Sequence, residues 1–342
     1  MSKPLVRVED LTVRVIGRDG PPILDRVSFT VEQGRMTALV GESGAGKSMT
    51  TKAVLGVLDE RIFTTSGTIE VDGRDVGSMR ARARRRFTSS VAALVFQNPT
   101  RALNPTMRVG PQIAEAMRFS ASGAHLSERE ARAKAIDLMK QVGIAAPEER
   151  FYAFPHQMSG GMKQRAVIAI ALSMNPKVLF CDEPTSSLDV TTQALIMDLL
   201  EELRQRLGIG ILFITHDLVL AASRADDVLV LHSGRVVERM PVAGVFSEAA
   251  MPYTRDLIAR VPGVEPPADP NRPAAQLPLR VVDRAAACSY VGDCIYRQEI
   301  CAERVPPLAP LGPDHAARCW FPVGHPPLAE PSGALVTEGS AT

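Results

Sequence analysis

The chain predicts an α/β fold: a parallel β-sheet covered by helices, followed by a proline-rich extension. Three observations carry that expectation. Apolar runs such as "MTALV", broken only by Thr37, and "VLFC" suit strands buried on both faces. From Lys177 to Asp217 strand-like and helix-like segments alternate, as they do when a helix crosses between parallel strands. Of the 26 prolines, 14 fall in the last 81 residues, so the stretch from Pro262 onward is not expected to extend the sheet.

Taken in order, "VRVEDLTVRVI", "RVSFTVEQG" and "MTALV" read as strands, the last ending in Gly as a central strand does before a loop. Gly67 to Val76, "GTIEVDGRDV", reads as a hairpin with Asp72-Gly73 at its turn. "VAALVF" is a second buried strand, ending at Gln97. Residues 109–175 turn helical; Ser127 and Glu130 form a capping-box pair before "ARAKAIDLMKQVGI", which stops at Gly143. The strands "KVLFCD" and "IGILFITHD" then flank the helix "TTQALIMDLLEELRQRLG".

Composition bounds the function. Apolar residues make up 45% and charged residues 23%, ordinary for a globular protein. A net charge of +1 provides no global field toward nucleic acid or acidic membranes. The most basic run, Arg80 to Arg86, is expected to be a solvated helix face. "MSKPLVRVEDLTV" enters a strand directly and no apolar window approaches 18 residues, so a soluble, cytosolic polypeptide is expected. Work at a membrane would need other subunits to span it.

Gly41-Glu42-Ser43-Gly44-Ala45-Gly46-Lys47-Ser48 fits G-x-x-x-x-G-K-[S/T] between an expected strand and an expected helix, with Met49 following. Such a loop turns backbone N–H groups onto phosphate oxygens at a helix start. Lys47 would reach the β- and γ-phosphates of a nucleotide, and the Ser48 hydroxyl would ligate Mg²⁺. Asp182 emerges from the apolar strand "VLFC" where open α/β sheets bind ligands, placed for the metal shell. Glu183 beside it is the candidate general base. Cys181 is expected to be a small buried hydrophobe.

Three further pieces narrow the class. "MSGGMKQR" sets Ser159, Gly160 and Gly161 at a second helix start, a second anion site. "SSLD", Ser186 to Asp189, follows the acidic strand, and His216 ends the next one, within reach of a γ-phosphate. Two anion-binding helix starts in one chain suggest pairing: Ser159 of one subunit closing over ATP held by Lys47 of another.

In this order the motifs resemble those of the ATP-binding subunits of ABC transporters, over roughly residues 5–260. Gly41–Ser48 matches the Walker A loop, Gln97 the Q-loop, Ser159–Gly161 with Met162 the signature, and Val178–Glu183 Walker B. Ser186–Asp189 matches the D-loop and His216 the switch histidine. "DEPTSSLDVTTQ" and "MPYTRDLIARVP" are similar to the peptide/opine/nickel importer branch. The resemblance implies a RecA-like parallel core with an antiparallel β subdomain and a helical subdomain (about 99–175) within residues 1–261, and an extension over 262–342. It also implies ATP and Mg²⁺, the latter held by Ser48, Gln97 and Asp182, with contacts to the nucleotide from the signature and Asp189. Implied partners are a homologous or identical ATPase, two transmembrane permease subunits and an extracytoplasmic binding protein, at the cytoplasmic face of the membrane. Di- or oligopeptides are the implied cargo, with nickel, an opine or glutathione as alternatives. A soluble ABC ATPase acting on ribosomes or DNA fits less well: there is one set of motifs, and Lys47 and Ser159 are 112 residues apart with no heptad run between them. Val15 stands where many relatives stack an aromatic ring on adenine.

Cys288, Cys294, Cys301 and Cys319 are separated by five, six and seventeen residues. A reducing cytosol disfavours disulfides. Structural zinc, with His315 and His325 as further donors, a four-thiolate iron–sulfur cluster and free thiols stay open. The resemblance implies the 4Fe–4S cluster, because importer ATPases of this branch end in similarly spaced cysteines.

Overall fold

The computed structural model describes residues 3–119, 126–186, 188–265, 269, 272–273, 278 and 285–328; Ser187 of the expected D-loop lies outside them. Strands β1 (Pro4–Val15) and β2 (Leu24–Glu32) alternate buried and exposed positions, so one face carries Val6, Val8, Val27, Phe29 and Val31 into a core. β3 (Met36–Val40) is buried at all five positions, the polar Thr37 included, and leads through the glycine-rich loop into α1 (Lys47–Leu55). β4 (Phe63–Val71) and β5 (Arg74–Asp75) form the expected hairpin, with Asp72 and Gly73 at φ 47° and 76° in its turn. These strands make an antiparallel sheet in the order β2-β1-β4-β5.

α2 (Ala81–Val91) carries the arginine run, mostly exposed, and feeds β6 (Ala92–Val95). The helical stretch comprises α3 (Pro99–Ala102), α4 (Val109–Phe119), α5 (Glu128–Gln141), α6 (Pro147–Arg150) and α7 (Gly160–Leu172). The capping box before α5 forms as expected: Ser127 Oγ accepts the Glu130 N–H, and Glu130 accepts the Ser127 N–H at 2.9 Å. Ile113, Met117, Ala135, Met139 and Ile168 bind α4, α5 and α7 into one apolar cluster.

β7 (Val178–Asp182), α8 (Val190–Leu207), β8 (Gly210–Thr215), α9 (Leu218–Arg224), β9 (Asp227–His232) and β10 (Arg235–Pro241) complete the main sheet. The parallel pairs β6·β7, β7·β8, β3·β8 and β3·β9 place β3 centrally, so its C-terminal loop opens beside those of β7 and β8. That is where an open α/β sheet presents ligand-binding loops. No helix among the described residues is long and apolar enough to cross a membrane.

After α10 (Pro252–Ala259) the tail departs from the expectation. Besides α11 (Glu299–Glu303) it forms β11 (Ala309–Pro310) and β12 (Ala316–Ala317), and β12 pairs antiparallel with β10. The sheet therefore has eight strands, ordered β11-β12-β10-β9-β3-β8-β7-β6. Prolines are tolerated because the added strands are two residues long and Pro310 sits on the edge, where its missing N–H is not required. Cys288, Tyr290, Cys294, Cys301, Cys319 and Trp320 join the same apolar cluster as the main sheet. Arg235, buried in β10, pairs with Asp25 of β2 at 2.7 Å and donates to the carbonyls of Ala285 and Ala287. The tail is stitched to both sheets through one guanidinium.

Candidate nucleotide site and cysteine lobe

The path of the glycine-rich loop depends on its glycines. Gly46 sits at φ 105°, and a Cβ there would lie 2.7 Å from Leu24 Cδ2, so only glycine lets the loop pass β2 and enter α1. Lys47 is 6% exposed, its ammonium donating to the carbonyls of Gly41 (2.7 Å) and Glu42 (3.0 Å). Burial pulls its pKa below the ordinary lysine value, opposed by Glu183 and Asp182.

The carboxylates arrive from β7. Asp182 Oδ1 accepts the Ser48 hydroxyl at 3.1 Å; burial raises its pKa, and the Ser48 hydrogen bond works against that rise. The next residue, Glu183, adopts φ 45°, an uncommon conformation for a side-chain-bearing residue and one that clusters at functional sites. That turn aims its carboxylate at three groups from distant parts of the chain. Gln97 Nε2 donates to it at 2.9 Å, His216 Nδ1 lies 3.5 Å away and Lys47 Nζ 3.9 Å away. Glu42, Ser43, Gly44, Gly46, Ser48 and Met49 line the same cavity of about 990 Å³, together with Lys47, Gln97, Glu183 and His216. Gly41 and Ala45 belong to the loop but do not line the cavity.

The second helix start lies elsewhere. Ser159 caps α7, its Oγ accepting the Met162 N–H at 3.3 Å, and Gly161 approaches Thr192 so closely that a Cβ would meet its methyl at 2.7 Å. Asp189 caps α8, accepting the Thr192 N–H at 2.9 Å. Ser159, Gly160, Gly161, Met162 and Asp189 thus form one packed junction, and none of them lines the Lys47 cavity.

Sequence reasoning missed the opposite wall of that cavity. Leu257, Arg260, Val261 and Pro262, from the end of α10 onward, face it together with Ile23. Arg260 pairs with the Glu42 carboxylate, and the Glu42 N–H donates to the hydroxyl of buried Tyr253 at 3.2 Å. The segment "MPYTRDLIARVP" was visible, but a role that depends on contact across more than two hundred residues leaves no local pattern.

The tail cysteines do gather. All four are buried, and their thiols influence one another's ionisation. Burial pushes Cys288 up to about 11 and Cys294 up to about 12, and raises Cys301 and Cys319 as well. Cys288, Cys294 and Cys319 each accept the backbone N–H two residues on, from Tyr290, Tyr296 and Phe321. Among the described residues no group of three or more His, Cys, Asp or Glu is arranged to hold a metal ion, so the side-chain positions give the expected iron–sulfur or zinc site no support. Burial disfavours their ionisation, and the thiols pack as small apolar groups. His315 is engaged elsewhere, its Nε2 2.8 Å from the fully buried Glu238. Cys181, on β7, is buried as expected.

Comparison with known proteins follows this geometry. Residues 24–186 match the family model "ABC transporter", and residues 237–301 match "Oligopeptide/dipeptide transporter, C-terminal region". The chain is 38% identical to a probable peptide ABC transporter ATP-binding protein, y4tR, of Sinorhizobium fredii, across 92% of this chain and 94% of that one. It is 37% identical to the dipeptide transport ATP-binding protein DppD of Escherichia coli, across 95% and 99%. Among solved structures, the dimeric ATP-binding cassette MJ0796 in a post-hydrolysis state with ADP and Pi superposes with a TM-score of 0.61 at 25% identity, across 69% of this chain and 98% of that one.

Proposed function

Because the chain belongs to the ATP-binding subunits of oligopeptide and dipeptide ABC transporters, we propose that it drives peptide uptake by hydrolysing ATP in the Lys47–Glu183 cavity. Coupling ATP hydrolysis to transport is the family's activity, and neither nickel, an opine, glutathione nor nucleic acid appears in the names of the relatives described above. The convergence of Lys47, Gln97 and His216 on Glu183 supports the site assignment.

The roles follow from what each group can do. Lys47 leaves its loop carbonyls for the β- and γ-phosphates, and the N–H groups of the 41–48 loop take the remaining oxygens. Ser48, Gln97 and Asp182 offer the oxygen donors that magnesium prefers; when bound there, the ion neutralises charge on the phosphates. Glu183 accepts the proton of the attacking water, and His216, beside it, contacts the γ-phosphate. Ser159 and the N–H groups of Gly160, Gly161 and Met162 close the site from a second subunit, with Asp189 at that junction, since in their own protomer they do not reach the cavity.

That second subunit is a homologous ATPase or another copy of this chain. Two permease subunits span the membrane above the pair at its cytoplasmic face, and an extracytoplasmic binding protein delivers the peptide. Residues 1–261, with a helical part over 99–175, serve as the ATPase unit, and 262–342 serve as its extension. In that extension, Cys288, Cys294, Cys301 and Cys319 are the donor set for a 4Fe–4S cluster. Four buried thiols, three of them accepting N–H···S bonds, suit thiolate ligation, although they must ionise and draw together to provide it. Iron and acid-labile sulfide in anaerobically purified protein support the cluster; zinc or neither counts against it.

Glu183→Gln tests the central role. It should bind ATP and lower turnover by about 10²- to 10⁴-fold, the usual worth of a general base. Undiminished turnover would move the base to another residue.

A further inference from the structure

Nothing in the phosphate chemistry explains how the site holds the nucleoside. Among the described residues no Phe, Tyr or Trp lines the cavity, and Val15 does not line it either. Its polar end is defined by Lys47, Ser48, Gln97, Glu183 and His216. Leu218 and Val219 flank His216 at that end. Beyond Met49, the remaining apolar lining is Ile23 with Leu257, Val261 and Pro262, and among the described residues Arg260 is the guanidinium in that lining.

We propose that the last turn of α10 and the residues just after it form the nucleobase wall, and that the Arg260 guanidinium stacks on the base in place of the absent ring. This rests on the phosphate assignment to Lys47. A guanidinium is flat, weakly hydrated and attracted to the face of an aromatic ring. Arg260 is suited to the task because it is held at one end and open on its faces. Its NH1 pairs with the Glu42 carboxylate, while the side chain as a whole remains 63% exposed. Glu42 is fixed in turn by its N–H bond to the Tyr253 hydroxyl, 3.2 Å long and anchored in a ring that is 1% exposed. The loop that grips the phosphates therefore also sets the position of the group that meets the base, so both ends of one nucleotide are registered to each other. Ile23, Leu257 and Val261 exclude water from the edge of the stack.

The test uses the full chain with two probes, Mg-ATP and magnesium tripolyphosphate, the second having phosphates and no base. Arg260→Ala should weaken ATP by about two- to thirtyfold, the span of an exposed to desolvated cation–π contact, while tripolyphosphate binds as before. In steady-state assays the loss should appear in KM for ATP rather than in kcat. Arg260→Lys retains the pairing with Glu42 and the charge but has no plane to stack, and should lose part of the ATP affinity that alanine loses; it also keeps the test open if the alanine variant unfolds. Arg260→Trp restores a plane and should recover ATP affinity. Equal losses for both probes would show Arg260 acting through Glu42 on the phosphate loop, and unchanged ATP affinity in Arg260→Lys would remove the stack; either result overturns the proposal. Lys47→Ala separates the two levels: if it leaves tripolyphosphate binding intact, the phosphate assignment has failed instead.

Discussion

Replacing Arg235 with alanine should cost about 3–5 kcal/mol, the usual consequence of removing one partner from a buried ion pair. The guanidinium is 7% exposed and Asp25 16%, with a 2.7 Å contact between them. The same side chain also satisfies the carbonyls of Ala285 (2.7 Å) and Ala287 (3.0 Å). An orphaned buried acceptor costs about 1–3 kcal/mol, though water reaching the Ala285 side keeps the sum from being additive. Against a typical total of about 5–15 kcal/mol, the loss is large. Urea unfolding of the full chain measures it directly, and limited proteolysis should find the tail cleaved first. An Asp25→Asn, Arg235→Met double variant should recover part of the loss, because the stranded charge is gone. A change below about 1 kcal/mol for Arg235→Ala would refute the claim that this residue joins the tail to both sheets.

Two other outcomes follow from the electrostatics. Burial tends to raise Asp25, but the hydrogen bond and charge of Arg235 outweigh it, so its folded pKa lies below the ordinary 3.8. A depressed carboxylate stabilises the fold above its unfolded pKa and loses that contribution as pH falls through the folded value. Stability should therefore be flat in this term above about pH 5 and decline below about pH 4, with a shallower decline in Asp25→Asn; an identical acid profile would exclude the pair as its source. In metal-free protein, Cys288 and Cys294, pushed up to about 11 and 12, should alkylate slowly at pH 8 until urea is added. Fast labelling of the folded chain would show the thiols to be accessible.

Much of this was legible in the chain because it rests on local rules. Met36–Val40 and Val178–Asp182 announce central strands by their largely apolar runs, Asp72-Gly73 a hairpin by its turn chemistry, and Ser127 with Glu130 a helix start by spacing. The loop Gly41–Ser48 and the pair Asp182-Glu183 are contiguous, so their chemistry could be read directly. What sequence reasoning could not supply depends on contacts between distant segments. Two-residue strands at 309–310 and 316–317 carry no period, so their pairing with β10 was invisible and the prolines pointed the other way. Arg260 and Tyr253 acquire a role only through Glu42. The cysteine spacing suggested ligands, but spacing does not determine whether thiols converge or ionise, and burial raises the pKa of all four.

The central claim, that ATP lies between the Lys47 loop of one subunit and the Ser159 helix of another, is tested most directly by the mass of the Glu183→Gln protein in solution. Multi-angle light scattering with Mg-ATP, alone and with a homologous ATPase subunit, should show a two-subunit particle that returns to monomers when the nucleotide is removed. A mass that stays monomeric in both samples, while ATP is demonstrably bound, would contradict the account.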